Sequence, residues 1–158
     1  LDLIPKGESL RDIKKAVKST YKVGIPVSGF FIFGLIGDTK KTMQKTIDFA
    51  KSLPFDRVIF NIATPYPGTR MWEMIKEGGG KIFLTKWKDF HHVSGKMHYY
   101  LPGMATQEEV EQIYRKAHLE FYFRPKYLVQ QIPKLFSLSL IPIMYRGLKR
   151  ILYAQQTR

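Results

Sequence analysis

The chain contains no cysteine, so disulfides, thiolate metal sites and cysteine nucleophiles are excluded within its 158 residues. Carboxylates are scarce too: 13 acidic residues face 26 lysines and arginines, a net charge of +13. Beyond Glu120 the scarcity is complete. Residues 121–158 carry Arg124, Lys126, Lys134, Arg146, Lys149, Arg150 and Arg158 and no Asp or Glu. Such a tail is attracted to anionic lipid, nucleic acid or an acidic partner, and a solvated face is the plainer reading of the same charges. Long apolar runs are missing as well. The longest candidate, residues 135–145, is broken by Pro142 and falls well short of the ~20 residues that span a bilayer. No signal-peptide pattern, repeat or low-complexity tract is visible. What remains is 44% hydrophobic and 14% aromatic, too apolar for a disordered chain and long enough to bury a core.

The pattern centres on residues 27–69. Two apolar runs, Val27-Ser-Gly-Phe-Phe-Ile-Phe33 and Arg57-Val-Ile-Phe-Asn-Ile-Ala63, flank a segment of helical period. Unbroken hydrophobicity predicts strands covered on both faces, as in a parallel sheet. Parallel neighbours need a crossover, and residues 42–53 supply a helix with Met43, Ile47, Ala50 and Leu53 inside and Lys40, Lys41, Lys45 and Lys51 outside. Asp38 or Thr39 caps it and Pro54 ends it. Both turns, Gly34-Leu-Ile-Gly37-Asp38-Thr39 and Pro65-Tyr66-Pro67-Gly68-Thr69, then lie at the carboxyl edge, where open α/β sheets and α/β barrels bind ligands.

Around this unit, Ser9 caps a helix with Leu10, Ile13, Val17 and Tyr21 on one stripe, stopped at Gly24. A short helix over 70–77 is capped by Thr69 and ended by Gly78, Gly79 and Gly80. Residues 81–103 lose periodicity and read as a long ordered loop or short strands. Thr106 and Glu109 form a capping box for a helix to about Tyr122, with Val110, Ile113, Ala117 and Phe121 buried. Further helices are predicted over 126–135 and 138–153.

Gly29 and Gly34 have the phosphate-loop gap, but Leu35 stands where lysine is required, and Gly29, Gly34 and Gly37 miss the dinucleotide spacing. A close backbone approach with a carboxylate at a helix start survives. Asp38 is then either an acceptor for hydroxyls or an amine, or simply part of a cap. The two prolines of the second turn stiffen it and fix Tyr66. His91, His92 and His98 lack a ligand spacing, so no metal site is expected, and no catalytic constellation is visible. Met71, Trp72, Met74 and Ile75 read as core.

Gly29-Phe-Phe-Ile-Phe-Gly34-Leu-Ile-Gly37-Asp38-Thr39, the crossover helix and Pro65-Tyr-Pro-Gly-Thr69 together resemble the radical S-adenosylmethionine superfamily, most closely its cobalamin-binding branch. The family usually reads Gly-Phe-Phe-Ile-x-Gly-Leu-Pro-Gly-Glu-Thr here, so Ile36 and Asp38 are mild departures. The family's three-cysteine cluster loop is absent, so the resemblance implies a carboxyl-terminal piece. Its fold would be α/β: the last units of a partial (βα)6 barrel with parallel strands over 1–80, an aromatic-rich connection over 81–105 and a basic helical extension over 106–158.

The resemblance further implies S-adenosylmethionine and a 4Fe-4S cluster as cofactors, with cobalamin a candidate third and the cluster ligands upstream. Reductive cleavage would give a 5′-deoxyadenosyl radical, with methyl transfer the outcome where cobalamin is used. Ile32 and Gly34 would face the adenosyl group, Asp38 would help order the loop, Ile62, Ala63 and Pro65 would lie near the adenine, and Gly37 would belong to the same cofactor-binding set. The partners would be the upstream part of the same protein and a substrate of unknown class. The location would be cytoplasmic, with peripheral membrane contact through residues 121–158. The rival reading is a non-catalytic basic α/β module, binding membrane surface or nucleic acid through that tail.

Overall fold

The computed structural model describes residues 9–84, 86, 87, 90 and 95–135. Packing divides the chain into a unit up to Phe121 and a second from Tyr122 onward. The expected helix over 138–153 lies outside the described residues.

In the first unit, α1 (Leu10–Lys22) leads into β1 (Ser28–Phe33), α2 (Lys40–Ser52) and β2 (Arg57–Ile62). Then follow α3 (Arg70–Glu77), β3 (Lys81–Ile82), β4 (Tyr99–Tyr100) and α4 (Gln107–Tyr122). The caps are those the residue types favour. The side chains of Ser9, Thr39 and Thr69 accept from the backbone N–H three residues on, and Thr39 and Thr42 reciprocate as a capping box. Thr106 and Glu109 make a second box at α4. On α1 only Val17 is fully buried; Leu10 and Tyr21, at the ends of its stripe, are exposed.

Strands β1 and β2 pair in parallel, from Ser28↔Arg57 to Phe33↔Ile62, and the Ala63 N–H donates to Phe33 O (2.8 Å) to extend the ladder. Gly29, Phe33, Val58, Phe60 and Ile62 are buried, as the pleat demands of residues sharing one face. That face is closed by helices. Phe31 meets Phe49 of α2 edge-on, and Phe60 meets His118 and Phe121 of α4. Phe60 also stacks on Phe33 at 5.4 Å. Each such pair contributes about 0.5–1.5 kcal/mol beyond area burial, so Phe60 is the centre of this core.

The opposite face is different from expectation. Phe30 is 67% and Ile32 47% exposed, and Ile59 and Asn61 are half-buried, so among the described residues this face of the sheet is left largely open. The aromatic-rich stretch resolves into a minimal antiparallel pair, Lys81↔Tyr100 and Ile82↔Tyr99. No barrel is formed by these residues, and the architecture shown is α/β with a two-stranded parallel sheet.

The second unit contains α5 (Pro125–Leu135), where proline occupies the first helical position without losing a needed hydrogen bond. Within it Tyr122 and Tyr127 meet edge-on, with the Arg124 guanidinium over Tyr127.

Candidate functional site

Parallel pairing with Phe33 opposite Ile62 brings both strand-end turns to one edge of the sheet. The first turn is built around Gly34, whose φ of +73° turns the chain out of β1. Only glycine takes that conformation cheaply. A Cβ there would also press to 3.3 Å from Val110 Cγ1. Gly37, at φ +87°, makes the second bend.

Between them the loop is closed by Asp38. Its Oδ2 accepts from the Leu35 N–H (3.0 Å), its own N–H donates to Leu35 O (2.9 Å), and its Oδ1 accepts from the Thr42 hydroxyl (2.9 Å). Both carboxylate oxygens thereby help to order the turn. Of the two alternatives open in the sequence, the geometry favours a structural role over a free acceptor. Thr39, not Asp38, is the N-cap of α2.

Two contacts reach this loop from far along the chain. The Tyr99 hydroxyl donates to Gly34 O, and the Ala105 N–H donates to Asp38 O (3.1 Å). Tyr99 is fully buried, and burial pushes its phenol far above the usual tyrosine range, with the negative charge of Asp38 adding to the shift. Neither contact was visible in the sequence, since each joins residues more than sixty positions apart.

In the second turn Pro65 is fully buried, and Thr69 both accepts from the Trp72 N–H and donates its hydroxyl to Tyr66 O (2.7 Å). Tyr66 is held by its hydroxyl to Phe90 O (3.2 Å) and by ring contact with Phe90. Among the residues flanking it, Ile75 is fully buried while Met71, Trp72 and Met74 are half-buried.

The residues expected at the site divide by face. Ile32 lies on the open face, while Ala63, one residue past the end of β2, is buried. The side chains of Ile62 and Pro65 are buried, and Ile62 Cγ2 lies 3.7 Å from where a Gly34 Cβ would stand. Ile62 therefore offers a ligand on the open face only its backbone. Asn61 was missed. It stands in register with Ile32 on the open face, and among the described residues its amide has no hydrogen-bond partner. One amide inside an apolar strand was the available signal.

Among the described residues no three metal-ligating side chains come together, and His91 and His92 lie outside them. Among the same residues no helix is long and apolar enough to cross a membrane.

No protein-family model matches the chain. An uncharacterised methyltransferase of Pyrococcus horikoshii is 36% identical over 157 residues, covering 97% of this chain and 32% of that protein. The bacteriochlorophyllide d C-12(1)-methyltransferase of Chlorobaculum tepidum is 30% identical over 84 residues, 53% of this chain and 18% of its own length. The tRNA-2-methylthio-N(6)-dimethylallyladenosine synthase of Thermosipho melanesiensis is 28% identical over 79 residues, 50% of this chain and 17% of its own length. The chain thus spans about a third or less of these curated relatives, and it is related to a segment of proteins that include methyltransferases.

Proposed function

We propose that the chain is the carboxyl-terminal part of a radical S-adenosylmethionine methyltransferase, and that its open sheet face and two strand-end turns form one wall of the adenosyl pocket. The observation that carries this reading is the meeting of both turns at one sheet edge, above a face left uncovered. An uncovered apolar face and two strand edges call for further strands, and a partial barrel supplied by upstream chain would provide them.

The residues present suit an adenosyl group. Ile32 and Ile59 give an apolar floor, and Asn61 offers one donor pair and one acceptor to a heterocycle edge. Gly37 keeps a side chain off an exposed bend. Ile32, Gly34, Ala63 and the backbone at Ile62 would line the wall, while Asp38 keeps the turn in shape and Pro65 anchors its neighbour. Bound S-adenosylmethionine and a 4Fe-4S cluster supply radical chemistry, and cobalamin, where used, supplies methyl transfer. This chain's own part is to position the adenosyl group and exclude water from it. The cluster ligands belong upstream, since these residues include no cysteine.

The test is to read the coding sequence ahead of Leu1 and to assay the full-length protein, reduced and anaerobic, for 5′-deoxyadenosine. A Cys-x3-Cys-x2-Cys loop on an earlier strand and adenosyl cleavage are expected. A stop codon close upstream, or no such loop, overturns the reading.

A second reading has its own support in the tail. Phe123, Leu128 and Val129 are exposed beside Arg124 and Lys126, as at an interfacial helix on anionic lipid. Sedimentation with phosphatidylserine vesicles, with and without residues 122–158, decides it: binding independent of the tail removes this contact.

A further inference from the structure

Gly34 O lies one residue beyond the end of the β1–β2 ladder. Phe33 O is taken by the Ala63 N–H, and the turn at Gly34 then carries the next carbonyl away from the neighbouring strand. A backbone carbonyl in such a buried place requires a donor. That donor is the phenol of Tyr99, 65 positions on. A phenylalanine would fill the same volume, so packing alone does not account for the hydroxyl.

The second external hold on the turn, from the Ala105 N–H to Asp38 O, comes from the same stretch of chain. This stretch is itself anchored behind the other turn. β4 pairs with β3, and the glycines after α3 let it approach closely. A Cβ on Gly80 would stand 2.4 Å from Tyr100 O, and one on Gly78 2.7 Å from Leu101 Cδ1. The helix α3 starts directly from the second turn at Thr69. The triple glycine therefore does more than stop a helix: it makes the seat on which residues 99–101 rest.

We propose that Tyr99 is a positioning residue for the adenosyl-binding turn, forming with Ala105 a two-point brace that fixes residues 34–38 and ties them through β4, β3 and α3 to residues 65–69. The brace fixes the spacing of the two turns, which meet at the end of a two-stranded ladder. This inference rests on the adenosyl-pocket reading for what the turn binds, and on the hydrogen bonds alone for what holds it.

The test uses the full-length protein with Tyr99→Phe, and Phe55→Leu as a variant that weakens the core beside Gly29 and Phe31, at the sheet edge opposite the turn. Hydrogen exchange is followed for a peptide covering residues 34–38, and S-adenosylhomocysteine affinity is measured by calorimetry. Tyr99→Phe is expected to speed exchange in that peptide and to raise Kd, each by up to about tenfold, the worth of one hydrogen bond. Phe55→Leu is expected to lower the melting temperature without either change. Exchange at residues 34–38 that is unaltered in Tyr99→Phe, or altered equally by Phe55→Leu, overturns the brace. So does an unaltered Kd where the parent protein binds. A parent protein that does not bind S-adenosylhomocysteine overturns the adenosyl reading instead, and exchange still decides whether the brace exists.

Discussion

Lys51 near the end of α2 and Glu120 near the end of α4 form an ion pair, and Lys116 adds a second contact to the same carboxylate at 3.5 Å. Lys116 also donates to Gln44 Oε1 (2.9 Å), so polar contacts join α2 and α4 at two points along their length. The pair is partly exposed, with about a quarter to a third of each side chain accessible. Such pairs contribute about 0.2–1 kcal/mol.

The hydrogen bond from Lys51 holds the Glu120 carboxyl below its ordinary value of 4.5, against a smaller opposing effect of burial. A depressed folded-state value stabilises the fold above the unfolded value and loses that contribution as pH falls through the folded one. Glu120→Gln should therefore cost about 0.5–1 kcal/mol near neutral pH. The difference from the parent should shrink below about pH 4.5 and vanish in stronger acid. Urea unfolding at a series of pH values checks this; a difference that persists unchanged into acid rejects the pair as its source.

The three consecutive glycines after α3 should not be equivalent. Gly79 has φ +71° with open space around its Cβ position, so Gly79→Ala should cost only the left-handed penalty, about 1–2 kcal/mol. Gly80 faces backbone, with Tyr100 O at 2.4 Å and Ile75 O at 2.8 Å from its Cβ position. Gly80→Ala must displace β4 and should cost about 2–3 kcal/mol. Thermal melts rank the two. Equal losses would mean that β4 is not seated on this glycine.

How much of this was legible in the sequence follows from the range of each interaction. The caps at Ser9, Thr39, Thr69 and Thr106 act within three residues; the sequence identified three of them outright and narrowed the fourth to Asp38 or Thr39. Burial of Met43, Ile47 and Ala50 on α2 followed from the helical period in the same way. The β3–β4 pair was not located, because two-residue strands show no alternation. The open sheet face was misread, because Phe30 and Ile32 are as apolar as Phe31 and Phe33; what differs is the chain available to cover them. The Tyr99–Gly34 contact was beyond reach, since nothing local marks one tyrosine among nine as the partner of a distant carbonyl.

Asn61 provides a direct test of what the open face meets. Its amide lies beside Ile32 and satisfies no other described residue, so Asn61→Leu removes little from this chain's own packing. In the full-length protein the change should alter stability by no more than about 0.5 kcal/mol. It should weaken S-adenosylhomocysteine binding by up to about tenfold, the worth of one hydrogen bond. A large stability loss with unchanged affinity would show that the amide serves a neighbouring strand and not the ligand.

The last expectation concerns alkaline pH. Burial, and secondarily the charge of Asp38, raise the Tyr99 phenol well above its ordinary value of 10.0. A raised folded-state value means that the protonated phenol stabilises the fold fully below the unfolded value, and that this contribution is lost as pH climbs above it. The unfolded chain releases the phenol proton from about pH 10 while the folded chain keeps it, so the parent protein should lose stability over that range. Tyr99→Phe lacks the proton in both states. It should start less stable at pH 8 for want of the Gly34 hydrogen bond, by about 1 kcal/mol. It should then decline less steeply, so that the two stability curves converge as pH rises past 10. Urea titrations from pH 8 to 11 resolve the two slopes; parallel curves would mean that the phenol is not sequestered against Gly34.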